Sequence, residues 1–100
     1  MDNYKVRMTP QAERELDKIY AYIANELVAV DAAENLVDDI EEAILGLDVM
    51  PYRGTERTTG VFAGKGYRQI HVKNFTIVYR ITEKPKQVII VTVRYTPSQF

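Results

Sequence analysis

The chain reads as an α+β domain: one N-terminal strand, an antiparallel pair of helices, and a mostly antiparallel sheet of about four strands. Three observations carry this. Residues 10–50 hold two stretches with apolar residues at helical spacing. Residues 67–95 are rich in β-branched and aromatic residues broken only by short turn signals. The two helical stretches precede a run of strands, so the assembly is a helical hairpin laid on one face of a small sheet. One hundred residues make one domain, spanning 1–100.

Residues 4–8 alternate Tyr4, Val6 and Met8 against Lys5 and Arg7, a short strand. Thr9-Pro10 is a helix start, with Thr as N-cap and Pro at the first position, where a missing N–H costs nothing. Ala12, Leu16, Ile19, Tyr20, Ile23 and Leu27 then recur at helical spacing. Asp31 followed by Glu34 resembles a capping box and sets the second helix near Asp31. Its stripe is Ala33, Leu36, Val37, Ile40, Ile44 and Leu47, and Pro51 stops it. The short gap between the helices predicts an antiparallel hairpin.

Residues 51–66 form a polar, glycine-punctuated loop. Strands follow at 67–73, 75–82 and 87–95, joined by turns at Asn74 and at 83–86. Links this short predict an antiparallel meander. The helices are expected to cover Ile70, Val72, Phe75, Ile77, Tyr79 and Ile81. The other face then shows Gln69, His71, Lys73, Thr76, Arg80 and Arg94, a polar and basic working surface.

Charge is split along the chain. Residues 1–50 carry four Lys/Arg against twelve Asp/Glu, a net of −8; residues 51–100 carry nine against two, a net of +7. Such a split points to nucleic acid or an acidic partner at the basic half, or to attraction between the halves of one domain. There is no cysteine, hence no disulfide and no thiol nucleophile. His71 is the only histidine, and Asp38, Asp39, Glu41 and Glu42 have the spacing of a solvated helix face, so no metal site is expected. No apolar run approaches the roughly 18 residues of a membrane span. Met1-Asp2-Asn3-Tyr4 lacks the pattern of a signal peptide, so a cytoplasmic protein is expected.

The order of elements, with Thr9-Pro10-Gln11-Ala12-Glu13, Leu16 to Ile23, Ile44-Leu45-Gly46-Leu47 before Pro51, Gly66-Tyr67-Arg68 and Phe75 to Ile81, resembles the RelE/ParE superfamily of bacterial type II toxins. The resemblance covers essentially the whole chain. It implies a growth-inhibiting toxin, of the kind found in plasmid stabilisation systems, held inactive by a small cognate antitoxin with an acidic, partly disordered arm. It implies no cofactor. RelE-type members are ribosome-dependent mRNA endoribonucleases; ParE-type members poison DNA gyrase.

RNA cleavage through the 2′-hydroxyl needs a base, cations for the developing charge and an acid. Here Thr76 stands at the arginine position of the family's Arg-Leu-Val-Tyr strand. Thr96 and Pro97 stand where one RNase subgroup has His and Tyr after Arg94-Tyr95. If the chain were an RNase, its set would be His71, Lys73, Arg80 and Arg94. As ordinary residues, His71 is a surface histidine on a strand, and Lys73 and Arg80 are solvent-facing strand charges. Residues that would bind target or antitoxin are Arg68, Lys73, Arg80, Arg94 and Tyr95. Arg68 has a structural alternative, a salt bridge to an acidic residue of the second helix, and Tyr95 equally suits the core, facing the helices with Ile89, Val91 and Val93. Leu16 to Ile23 is similar to the Leu-x-x-Ile-x-x-Tyr-Ile run of ParE-like members, which favours a gyrase inhibitor with residues 94–100 as a contact segment; packing between helices is the plain alternative for Tyr20 and Tyr22. A degenerate toxin that only binds antitoxin is the third reading.

Overall fold

A computed structural model describes residues 3–97. Strand β1 (Lys5–Met8) leads into helix α1 (Pro10–Ala21), whose Thr9 hydroxyl caps the Ala12 amide at 3.1 Å. The chain then loosens into a π-helical turn over Tyr22–Glu26 before helix α2 (Val30–Leu45). Two 3-10 turns, Gly46–Asp48 and Pro51–Arg53, carry it to β2 (Thr55–Glu56). A third 3-10 turn, Gly60–Phe62, precedes the strands β3 (Arg68–Val72), β4 (Phe75–Glu83) and β5 (Lys86–Tyr95).

The sheet has five strands, not four, in the order β1-β5-β4-β3-β2. The extra strand is β2, whose two residues are too short to leave an alternating pattern in the sequence. β1 runs parallel to β5, and the other pairs are antiparallel. Parallel pairing of the first and last strands places α1 as the element leaving β1, and it packs back over β5. α2 packs against α1 and β3.

Helices and one sheet face share a core of Ala12, Leu16, Leu36, Ile40, Ile44, Leu47, Ile70, Ile77, Tyr79, Val88, Ile90 and Val93. Burial of such side chains contributes roughly 1.5–3 kcal/mol each. Tyr79 is fully buried, and its hydroxyl donates to the Pro51 carbonyl at 2.7 Å while accepting from the Gly54 amide at 3.1 Å. A buried phenol thereby anchors the loop that the sequence leaves unstructured.

Four local readings are corrected. α2 starts at Val30, and Ala29 caps it without a side-chain bond; Asp31 lies inside the first turn, so no capping box forms. α1 stops at Ala21, and the apolar periodicity to Leu27 continues through the π turn instead. The stop at the other end comes at Gly46, ahead of Pro51, and Leu47 enters the core from a 3-10 turn. In β5 the core takes Val88, Ile90 and Val93, not Ile89 and Val91, because the register against β4 shifts between Val78 and Tyr79. A bulge of this kind inserts one residue and reverses the inward parity beyond it.

Candidate functional site

The face away from the helices is partly closed. Thr76, Val78 and Thr92 on it are buried, so the expected polar and basic working surface is closed at its centre. The cross-strand register sets His71, Thr76 and Arg94 in one row over β3, β4 and β5. The Thr76 hydroxyl lies 3.0 Å from His71 Nδ1 and 2.9 Å from the Thr96 hydroxyl. Arg94 is held as well: its Nε donates to the Thr92 hydroxyl at 2.9 Å and sits 3.4 Å from the Glu15 carboxylate.

Lys73 and Arg80 do not join this row. Lys73 occupies the β3–β4 turn at φ +52°, and its ammonium pairs with Asp39 of α2 at 3.1 Å. Both partners are largely exposed, so the pair contributes at most about 1 kcal/mol. Arg80 lies four residues along β4 from Thr76, roughly 13 Å at strand rise, and is exposed. The four residues of the RNase set are therefore split over three places.

Arg68 turns to the loop. Its guanidinium donates to the carbonyls of Tyr52 (3.2 Å) and Gly54 (2.5 Å) and stacks over the Tyr52 ring at 5.3 Å. These carbonyls take the place of the acidic partner expected on α2. Backbone acceptors on an irregular loop leave no mark in a sequence.

Tyr95 stands on the helix-covered side, edge-on to Phe75 with ring centroids 5.7 Å apart. The two rings form one wall of an apolar groove of about 590 Å³. Lys18, Ile19, Tyr22, Ile23 and Leu27 form the other wall. The π turn shapes it: the wider turn presents Tyr22 and Ile23 toward the sheet end, and such turns recur at functional sites. Just beyond, Val28 takes φ +49° and is 84% exposed. A β-branched residue in left-handed backbone is strained. Sequence reasoning found Tyr95 but missed the groove, because the break from α to π geometry has no periodic signature. Of the expected contact segment 94–100, residues 98–100 lie outside the described residues.

A second polar cluster sits at the opposite sheet end. The Tyr4 hydroxyl donates to both Glu83 oxygens, at 2.9 and 2.7 Å, and the Tyr52 hydroxyl donates to Glu83 Oε1. Hydrogen bonding to the carboxylate pushes the Tyr4 phenol up to about 12 and raises that of Tyr52. The same two donors lower the Glu83 carboxyl.

Among the described residues no group of three His, Cys, Asp or Glu could hold a metal ion, and no helix is long and apolar enough to cross a membrane.

Comparison with solved structures finds the same architecture. The chromosomal ParDE TA system from P. aeruginosa superposes with TM-score 0.75 at 23% identity, over 92% of this chain and 95% of that one. The RelBE2 toxin-antitoxin complex from Mycobacterium tuberculosis gives 0.63 at 24% identity, over 95% and 93%. The archaeal RelE-RelB complex from Pyrococcus horikoshii OT3 gives 0.65 at 13% identity, over 95% and 97%. These likenesses establish the fold, which hosts both kinds of toxin. No curated protein matches the chain by sequence. The family model for the ParE toxin of the type II toxin-antitoxin system, parDE, matches residues 6–100, nearly the whole chain, and the protein belongs to that family of toxins.

Proposed function

We propose that this toxin inhibits growth in the cytoplasm by poisoning DNA gyrase without covalent chemistry of its own, and that a cognate antitoxin neutralises it. The row His71–Thr76–Arg94 carries the first half of this reading. A nuclease would need a free base, a free acid and unpaired cations converging on one phosphate. Instead a buried threonine lies between His71 and Arg94, and Arg94 is committed to Thr92 and Glu15. Lys73 and Arg80 are elsewhere. Family membership over residues 6–100 supports the same branch.

The groove supports the antitoxin half. An acidic arm that folds on binding needs apolar pockets for its anchors and a cation beside them. Ile19, Ile23, Leu27, Phe75 and Tyr95 supply the first, and Lys18 supplies the second. The neighbours from M. tuberculosis and P. horikoshii are themselves toxin-antitoxin complexes. Of the five residues expected to bind partners, Tyr95 lines the groove, Lys73 pairs with Asp39 of α2, Arg68 serves the loop, Arg94 is held by Thr92 and Glu15, and Arg80 is exposed on the far sheet face.

The test is gyrase cleavage: toxin, gyrase from the native host, ATP and supercoiled plasmid, scored for linear DNA after detergent and protease. Linear DNA that disappears on adding antitoxin is the expected result. Normal supercoiling with no linear DNA would overturn the reading. Cleavage of mRNA on ribosomes, abolished by His71→Ala or Arg94→Ala with antitoxin binding intact, would replace it with the endoribonuclease reading.

A further inference from the structure

The register of the sheet places two rows side by side on the face away from the helices. One row is Lys5–Gln87–Thr82 and the next is Arg7–Ile89–Arg80, each running across β1, β5 and β4. Lys5, Arg7 and Arg80 are exposed. None of the three side chains makes a hydrogen bond or ion pair among the described residues. Adjacent strands lie about 4.8 Å apart, so Arg7 and Arg80 flank Ile89 with backbones roughly 10 Å apart. Side chains of arginine length are long enough to bridge that gap.

A carboxylate reaches this face from α1, where Glu15 pairs with Arg94 and accepts from Thr92, but the strands of the face carry one sign. The strand positions on β1, β3, β4 and β5 include Lys5, Arg7, Arg80 and Arg94, the lone His71, and no Asp or Glu. Helix α2 is the opposite, with Asp31, Glu34, Asp38, Asp39, Glu41 and Glu42 and no Lys or Arg, and the whole chain carries −1 with a pI near 5.8. Attraction of a polyanion to this protein is therefore a property of the patch and not of net charge.

We propose that the Lys5, Arg7 and Arg80 patch binds the phosphodiester backbone of nucleic acid directly, with or without gyrase present. Guanidinium groups match phosphate oxygens in bidentate geometry, and an array of cations along neighbouring strands suits a uniform backbone. An acidic peptide is the competing polyanion, but its specific binding needs apolar anchor sites. Those lie on the other side of the sheet, in the groove, and this patch offers only Ile89 between two arginines. The patch also differs from the His71–Arg94 row, sharing neither residue with it.

Fluorescence anisotropy with short labelled oligonucleotides, duplex DNA in one arm and single-stranded RNA in the other, tests this with the full chain over a salt series. Binding to duplex should weaken with salt on a log–log slope near −2.7, from three phosphate contacts at about 0.9 each. Arg80→Ala should flatten that slope by about 0.9, and Lys5→Ala/Arg7→Ala/Arg80→Ala should abolish binding. Arg14→Ala, on α1, should change nothing, and Arg7→Lys/Arg80→Lys should keep the slope, which separates loss of charge from loss of fold. Tighter binding of one oligonucleotide names the natural source, and either preference upholds the assignment. Absence of binding at low salt, unchanged binding by the triple variant, or equal competition by polyglutamate of matched charge would each overturn it.

Discussion

The Glu15 carboxylate accepts the Thr92 hydroxyl at 2.6 Å and the Val93 amide at 3.2 Å. β1 pairs with β5 only as far as Ile90, so beyond it the amide of the buried Val93 has no strand partner on that side. A helix side chain fills the place of a missing strand. Glu15→Ala should lower stability by about 1–3 kcal/mol, since it strands a buried donor. Glu15→Gln should recover part of the loss, because an amide oxygen still accepts. Urea unfolding midpoints for the three proteins check both.

Tyr79 and Gly54 make a second joint. A Cβ built on Gly54 would lie 2.4 Å from the Gln69 carbonyl and 2.5 Å from the Tyr79 hydroxyl. Gly54→Ala must therefore push the loop off β3, a loss at or above the upper end of the roughly 1–3 kcal/mol typical of overpacked sites, because both close atoms are fixed. Tyr79→Phe keeps the shape but leaves the Pro51 carbonyl and Gly54 amide unpaired, for about 1–3 kcal/mol. Thermal unfolding should rank the pair in that order.

The Glu83 cluster makes stability depend on pH in two windows. The Glu83 carboxyl is lowered by the tyrosine donors, so its contribution is present above the ordinary carboxylate pKa of 4.5 and is lost as pH falls through the lower folded value. Tyr4 is raised from 10.0 to about 12, so its contribution is full below 10 and is lost as pH rises through about 12. Both windows should vanish together in Glu83→Gln, read as melting temperature against pH. The group is exposed, and the effect should shrink with salt.

Val28 is the one strained position the helical hairpin carries, at φ +49°. Left-handed backbone costs an L-residue roughly 1–2 kcal/mol. Glycine removes that strain and returns roughly 0.5–1 kcal/mol of it as chain entropy. Val28→Gly should therefore stabilise by on the order of 0.5–1 kcal/mol. A melting temperature that stays level or falls would mean that contacts of the valine methyls outweigh the strain.

Most of the fold was legible because periodicity reports on burial. Leu16, Leu36, Ile40 and Ile44 repeat at helical spacing and all reach the core. Ile70, Ile77 and Tyr79 alternate and do the same. What escaped is what periodicity cannot carry. Val88 to Val93 is apolar at nearly every position, so either parity satisfies it, and a bulge decides. The groove depends on a π turn, and the loop joint on backbone carbonyls. For the site, residue types named His71, Arg80, Arg94 and Tyr95, but only the register shows that His71 and Arg94 share a row. Lys5 and Arg7 read as the polar half of an edge strand, and their nearness to Arg80 exists only through the parallel pairing of β1 with β5.

That pairing also sets a clock on assembly. Thr9 binds the Val91 carbonyl across 82 residues, and among the described residues β1 has its one strand partner in β5. Until residue 95 has been made, β1 has no ladder and α1 has no sheet to lie on. Contacts this distant in sequence slow folding and leave apolar surface uncovered meanwhile. During synthesis the nascent chain therefore passes through an interval in which proteases compete with completion of the sheet.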